Sequence, residues 1–289
     1  MAERKKKIKT ELITCVADDE EWVEGVLYTP GLKIPKNKPS LILVHGAFGS
    51  FYTGLPRALG PRLAEKGYAT MAINTRYHDL FEMDMIFEEE VKDIRAAVRF
   101  LRSKGAPGVV LLGHSLGVPR ISHYKVKTKD PGVVGLVLVS GNASATEWME
   151  NVWGRETLDR YRELARQEGS SDPLHVISIA ESGERLGRFE WYHPRRPAII
   201  THRTMSARAF LDYMGEDTKA NAIKYMKDIH VPTLILHGDK DELVPPADAK
   251  KLHDANPAIA LTFLKGAGHY YRGHERQLVD AIVKWLREI

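Results

Sequence analysis

Gly113–His114–Ser115–Leu116–Gly117 is the stretch of this chain best suited to chemistry. It follows the apolar run Val109–Leu112 and precedes a helix-like segment. In that setting a Gly-x-Ser-x-Gly turn lifts a serine hydroxyl above a sheet. Gly113 and Gly117 remove side chains that would collide there. The pentapeptide alone also fits a Gly-rich turn with an incidental serine, and the strand before it favours the chemical reading. A serine hydroxyl is a poor nucleophile at neutral pH and needs a base. Most of the 12 histidines must be bystanders. His269 is the best candidate, because Gly266–Ala267–Gly268–His269 lies between the last apolar run and the last helix. His274 is its nearest rival and reads as the opening of that helix. His45 and His114 read as backbone-orienting residues. The base needs a carboxylate to fix its tautomer. The segment Leu236–Pro245 supplies Asp241, with Asp239 as the runner-up, although Asp is also a common turn former.

Val44–His45–Gly46–Ala47–Phe48–Gly49 follows another apolar run, and its glycines let backbone approach a ligand. The Ala47 and Leu116 N–H groups are assigned as an oxyanion hole, with Phe48 as the alternative donor or a pocket wall. Tyr270 and Tyr271 beside His269 are further substrate-binding candidates. No metal site is expected: the spacing from His269 to His274 is too loose and no His-Glu-x-x-His is present. No Gly-x-Gly-x-x-Gly follows the first strands, so nucleotide binding lacks support. A serine, a base and an acid need no cofactor.

These residues must be carried by a sheet. Short apolar runs alternate with helix-period segments, which predicts a mainly parallel sheet with helices on both faces. Ile8–Val16 and Trp22–Tyr28 alternate and predict an edge hairpin around Asp18–Asp19–Glu20. Ser40–Val44, Thr70–Ile73, Val109–Leu112, Val133–Val139, Thr233–Leu236 and Leu261–Leu264 read as buried strands. Val91, Ile94, Val98 and Leu101 share one helical face, with Glu88 to Glu90 at its dipole-favoured start and Gly105 as its stop. Leu278, Ile282, Val283 and Leu286 mark a last helix. Pro61 should kink the segment Leu55–Lys66 or delay its start. Residues 141–229 break the alternation and hold helix-like pieces, the turn Glu168–Ser171 and the aromatic stretch Arg188–Pro197. A structureless loop that long is improbable. The expected organisation is a core of residues 1–140 and 230–289 with a helical cap or lid at 141–229. Trp148, Trp153, Phe189, Trp191 and Tyr192 read mainly as packing of cap on core, and Arg195–Arg196 as a solvated loop rather than an anion site.

Composition narrows the rest. The chain has 289 residues, 43% hydrophobic and 28% charged, an ordinary globular balance that excludes disordered and coiled-coil chains. Cys15 is the only cysteine, so no intrachain disulfide can form. The net charge of +4 is accounted for by the N-terminal Arg4, Lys5, Lys6, Lys7 and Lys9, and no basic stripe with aromatics points to nucleic acid. No apolar run reaches the roughly 18 residues of a membrane span, and no apolar h-region follows the basic start, so a cytoplasmic location is expected.

The pieces His45–Gly46, Gly113–Gly117, Gly238–Asp241 with Val244–Pro245, and Gly266–His269 resemble the α/β-hydrolase superfamily in its serine-esterase/lipase-like branch. The order Ser115, Asp241, His269 is that architecture's nucleophile–acid–base order. Asn74–Thr75–Arg76 is also similar, although Tyr77 replaces the usual glycine there. The resemblance covers roughly residues 8–140 and 230–289. It implies an eight-strand, predominantly parallel sheet and carries Asp241 to the acid position and His269 to the base. The implied activity is cofactor-independent hydrolysis of an ester, thioester or lactone of a small to medium apolar molecule. Carbon–carbon bond hydrolysis or acyl transfer by the same residues, or a ligand receptor with little turnover, are the alternatives. A carboxylate-dependent dehalogenase is disfavoured by Ser115, an aminopeptidase has no residue in its favour, and a homodimer stays open.

Overall fold

Apolar side chains at consecutive strand positions need two cores, one on each face of the sheet. In Ser40–Val44 (β3), Ile42 and Val44 enter one core and Leu41 and Leu43 the other. The computed structural model describes the backbone of residues 8–78, 84–168, 174–178, 190–191, 198–199 and 202–289, and the side chains of 8–78, 84–167 and 205–289. The other central strands are Thr70–Ile73 (β4), Val109–His114 (β5), Val133–Val139 (β6) and Thr233–Gly238 (β11). Ile8–Val16 (β1) and Trp22–Pro30 (β2) form the expected hairpin at one edge, and Ala260–Leu264 (β12) forms the other edge. The order is β1-β2-β4-β3-β5-β6-β11-β12. Only β2 runs against the rest, so the sheet is predominantly parallel.

Helices Gly54–Glu65 (α1), Glu90–Ser103 (α2), Gly117–Thr128 (α3), Pro246–Ala255 (α7) and Glu275–Trp285 (α8) cover the two faces. Two expectations change here. α1 runs from Gly54 with Pro61 inside it, neither late nor interrupted. Proline removes one i→i−4 bond, and the burial of Leu55, Leu59 and Leu63 offsets that loss. β12 is not a buried run: as an edge strand it leaves Leu261 and Phe263 half-buried and Ala260 and Thr262 exposed.

Between β6 and β11 the chain forms Ala145–Trp153 (α4), Arg155–Glu168 (α5) and Ala207–Met214 (α6). It also forms two small antiparallel pairs, Leu174–Ser178 (β7) with His202–Ser206 (β10) and Glu190–Trp191 (β8) with Ala198–Ile199 (β9). The expectation of mostly helix missed these pairs, although Val176 and Ile177 in β7 are good strand formers. The turn after Glu168 and the residues Phe189, Tyr192, Arg195 and Arg196 lie outside the described residues, as does the Trp191 side chain. Met149, Leu158, Tyr161, Phe210 and Tyr213 from α4, α5 and α6 share a third apolar cluster with Leu116, against which Ala47 packs. These helices therefore lie over the carboxyl ends of β3 and β5. Among the described residues no helix is long and apolar enough to cross a membrane.

One glycine shows how tightly the sheet meets the next helix. A Cβ at Gly113 would stand 2.2 Å from the Gly117 carbonyl oxygen, inside any real contact. Gly113→Ala is expected to destabilise the fold by more than about 2 kcal/mol. Urea denaturation of the variant against wild type measures it, and a loss below about 0.5 kcal/mol would show that β5 and α3 can separate freely.

Candidate active site

Ser115 stands at the junction of β5 and α3 with φ at 55°, in the left-handed region. Its backbone is pinned from both sides: the N–H donates to Val139 O at 2.9 Å, and its carbonyl accepts from Val118 N at 2.9 Å. The loop after β3 lies against it, since a Cβ at Gly46 would be 2.9 Å from Ser115 Cβ. Backbone held this way stores about 1–3 kcal/mol of strain per residue, a pattern that concentrates at functional sites. His45 Nδ1 donates to Gly46 O at 2.8 Å, which leaves Nε2 to accept from Thr75 N at 3.2 Å. Burial, with the charge of Arg120 nearby, holds His45 well below its ordinary titration range. Among the described residues the Ala47 and Leu116 amides donate to no other group.

Asp241 follows β11 and is buried. Its carboxylate accepts from Leu243 N at 3.0 Å, Val244 N at 2.8 Å and His269 Nδ1 at 3.0 Å. His237 Nε2 is 3.3 Å from Asp241 Oδ2 and 3.0 Å from Val244 O, and both neighbours only accept, so that nitrogen carries the proton. Burial alone would raise the Asp241 carboxyl. The charge of His269 and the hydrogen bonds from His237, His269 and Val244 outweigh it and hold the carboxyl well below the usual range. Asp239, the runner-up, is exposed and instead accepts from Gly266 N at 2.6 Å. It anchors the loop that carries His269. That loop is also held by Glu242, which accepts from His269 N at 3.2 Å, and by His114, whose Nε2 donates to His269 O at 3.0 Å.

Ser115 and His269 line one cavity together with Ala47, Phe48, Leu116 and Tyr270. Among the described residues no hydrogen bond joins the Ser115 hydroxyl to His269, and such bonds are often long before substrate arrives. Trp148 and Trp153 also line the cavity, so their role exceeds packing; Trp148 Nε1 meanwhile donates to Leu243 O at 2.7 Å. Met205, Phe210, Tyr213 and Met214 complete the far wall and carry no sequence signature. Tyr271 is a correction. It is fully buried, with φ at 53°, and its hydroxyl donates to Leu236 O at 3.2 Å, so it packs the core under the site rather than facing substrate. His274 stands at the start of α8, as expected, and its side chain makes no capping hydrogen bond there.

Sequence reading missed Arg120. This fully buried side chain, one turn into α3, donates to Glu90 Oε2 at 2.8 Å, to His45 O at 3.1 Å and to Gly46 O at 3.4 Å. The acidic start of α2 thus serves more than the helix dipole, since Glu88 pairs with Lys219 at 3.0 Å and Glu89 accepts from the Tyr77 hydroxyl at 2.6 Å. An arginine three residues after the serine turn is the only signal, and its partner is 30 residues away. Among the described residues no group of three or more His, Cys, Asp or Glu side chains is arranged to hold a metal ion.

The model of the Hydrolase_4 family, described as serine aminopeptidase S33, matches residues 35–275. The chain belongs to that family. It is an α/β hydrolase, and its solved neighbours share the architecture at low identity. Est1E from Butyrivibrio proteoclasticus has a TM-score of 0.67 at 18% identity, covering 96% of this chain and 98% of that one. A hypothetical protein of Pseudomonas aeruginosa, PA2218, reaches 0.73 at 17% identity, covering 98% and 94%. The Pyrococcus furiosus esterase PF2001 reaches 0.66 at 13% identity, covering 97% and 91%.

Two outcomes follow from the buried polar groups of this hydrolase. Arg120→Met strands the buried Glu90 carboxyl and is expected to cost about 3–5 kcal/mol, much of it recovered in Arg120→Met/Glu90→Leu. A double-mutant cycle by chemical denaturation reads the coupling, and additive losses would mean the two groups do not depend on each other. Burial, with the charge of His269 beside it, pushes His114 down to about 3. The unfolded chain takes up that proton below about pH 6.5, so the stability tied to neutral His114 is full above that value and drains away as pH falls toward 3. His114→Phe should therefore lose stability less steeply between pH 6 and 4, by up to about 1.4 kcal/mol per pH unit. Unfolding at stepped pH measures the slope, and slopes matching wild type would contradict a neutral His114.

Proposed function

We propose that this α/β hydrolase is a cofactor-independent serine hydrolase that cleaves carboxylic esters, thioesters or lactones of small to medium apolar substrates through an acyl-enzyme. The observation that carries the reading is the Asp241 carboxylate bonded to His269 Nδ1 in a cavity wall shared with Ser115. With Nδ1 committed, Nε2 is the nitrogen left to take the Ser115 proton as Oγ attacks the carbonyl. Asp241 stabilises the imidazolium, and the Ala47 and Leu116 N–H groups receive the developing oxyanion. His269 returns the proton to the leaving alcohol, and water then repeats the sequence on the acyl-enzyme. Residues 141–229 act as a cap whose helices wall the substrate in.

Two features favour esters over peptides. Among the described residues, those lining the cavity include no Asp or Glu to hold the ammonium group of a free peptide N-terminus. They are instead mostly aromatic, aliphatic and Met, which suits a neutral apolar acyl group. Est1E, which shares the fold, is known with ferulic acid bound, an aromatic acid in keeping with such walls.

Wild type is expected to be labelled at one site by a fluorophosphonate, and Ser115→Ala to lose both the label and p-nitrophenyl ester turnover. Asp241→Asn should lower kcat roughly 10³- to 10⁴-fold with a small change in KM, because the wrong His269 tautomer is then favoured. Labelling that survives in Ser115→Ala, located by peptide mass spectrometry, would place the nucleophile elsewhere.

A further inference from the structure

Asn142 stands three residues beyond β6, in the cavity wall, and is 9% exposed. The polar groups around it in the chain are engaged. Ser140 Oγ meets the Tyr271 hydroxyl at 3.0 Å, Ala143 N donates to Asp248 at 3.1 Å, and Ser144 Oγ donates to Asn221 Oδ1 at 3.0 Å. Among the described residues the Asn142 carboxamide has no hydrogen-bond partner. The amide opens on the cavity rather than being sealed in the core, so a group from outside the chain can pair with it. Of the other polar groups of the wall, Trp153 Nε1 is also buried without a partner among the described residues, but it can only donate. Trp148 Nε1 is spent on Leu243 O, Ser115 and His269 are assigned to the chemistry, and Tyr270 is only half-buried.

We propose that Asn142 is a specificity-determining residue, and that the cavity takes an ester whose apolar body carries a neutral hydroxyl. This rests on the serine-hydrolase reading above. A carboxamide offers both donors and an acceptor, and a hydroxyl is the small group that answers both. Among the described residues no Lys, Arg, Asp or Glu lines the cavity, so none of them offers a substrate carboxylate or ammonium an opposite charge. The surrounding Phe48, Trp148, Phe210 and Tyr270 suit a ring-bearing body. An analogue without the hydroxyl leaves the amide unpaired, and sites built this way discriminate strongly against the analogue.

The test uses two matched series on purified protein. One is methyl 3-phenylpropanoate with its 2-, 3- and 4-hydroxyphenyl isomers; the other is the corresponding phenylpropyl acetates, which place the hydroxyl on the alcohol side. At least one hydroxylated isomer should exceed its parent in kcat/KM by tenfold or more. In Asn142→Leu that ratio should fall to within about twofold of unity, and Asn142→Ala serves if the leucine variant fails to fold. Each ratio is internal to one variant, so a general loss of activity does not imitate the effect. A wild type without hydroxyl preference in either series, or a preference that survives the substitution, overturns the proposal. If wild type also hydrolyses no ester and takes no fluorophosphonate, the serine-hydrolase reading falls first and this proposal with it. Labelling and turnover without the preference sink this proposal alone.

Discussion

An ionised carboxylate below the surface at position 241 organises the carboxyl edge of the sheet. Charge out of water is expensive unless it is both paired and hydrogen-bonded. Three of its donors, Leu243 N, Val244 N and His237 Nε2, come from β11 and the loop that follows it, before His269 is counted. The acid site is therefore built locally, and the His269 loop docks onto it. Asp239 and Glu242 hold that loop from one side and His114 from the other. His269 is placed by two separate stretches of chain, the loop after β11 and the end of β5, which fixes its ring while leaving Nε2 free of the carboxylate. The backbone shows the same concentration of constraint. Of the six non-glycine residues with positive φ among the described residues, four (Phe48, Ser115, Ser140 and Tyr271) lie in loops leaving the carboxyl ends of the strands.

The central sheet was legible because burial on both faces writes itself as unbroken apolar runs, and the edge hairpin because exposure on one face writes itself as alternation. The proposed serine, acid and base positions stand out in the sequence because each sits beside glycines that the turn geometry requires. The tie between Asp241 and His269 could only be inferred from order, since it joins residues 28 apart across two loops. Position within the sheet was less legible: Leu261–Leu264 reads as apolar, but only neighbours decide whether a strand is central or at the edge. Tyr270 and Tyr271 look equivalent in sequence, and a left-handed residue at 271 sends one into the core while the other faces the cavity. Arg120, Glu90 and Asn142 were invisible because a buried polar group is recognised by its partners, or by the lack of them, and neither is written along the chain.

The Arg120 contacts also bear on the loop after β3. The Gly46 carbonyl and the Ala47 N–H belong to one planar peptide and point in opposite directions. His45 Nδ1 and Arg120 both donate to that carbonyl, so the orientation of the Ala47 N–H is set by groups beneath the loop rather than by substrate. Arg120 belongs to the helix that Ser115 introduces, which links the nucleophile's own helix to the proposed oxyanion donor. Donors fixed before the reaction cost no reorganisation when charge develops, the condition under which they lower a barrier most.

The wall opposite this machinery follows different rules. The acid, base and serine loops are constrained at backbone level, by close glycines and positive φ, and a change there disturbs the fold. The far wall is made of side chains on α4 and α6, with Met205 just before α6, which meet the sheet mainly through apolar packing. Apolar packing tolerates exchange of shape at constant volume far better than a hydrogen-bonded loop tolerates exchange of partners. In the proposed reading the reaction is thus tied to the sheet and the substrate to the helices above it. Asn142 lies at the seam, in the loop that leaves a core strand and in the lining of the cavity that these helices wall. A polar selector there is held with the precision of the sheet while it reads a group delivered by the wall, which is why an unpaired amide at that one position carries more information about substrate than the apolar residues around it.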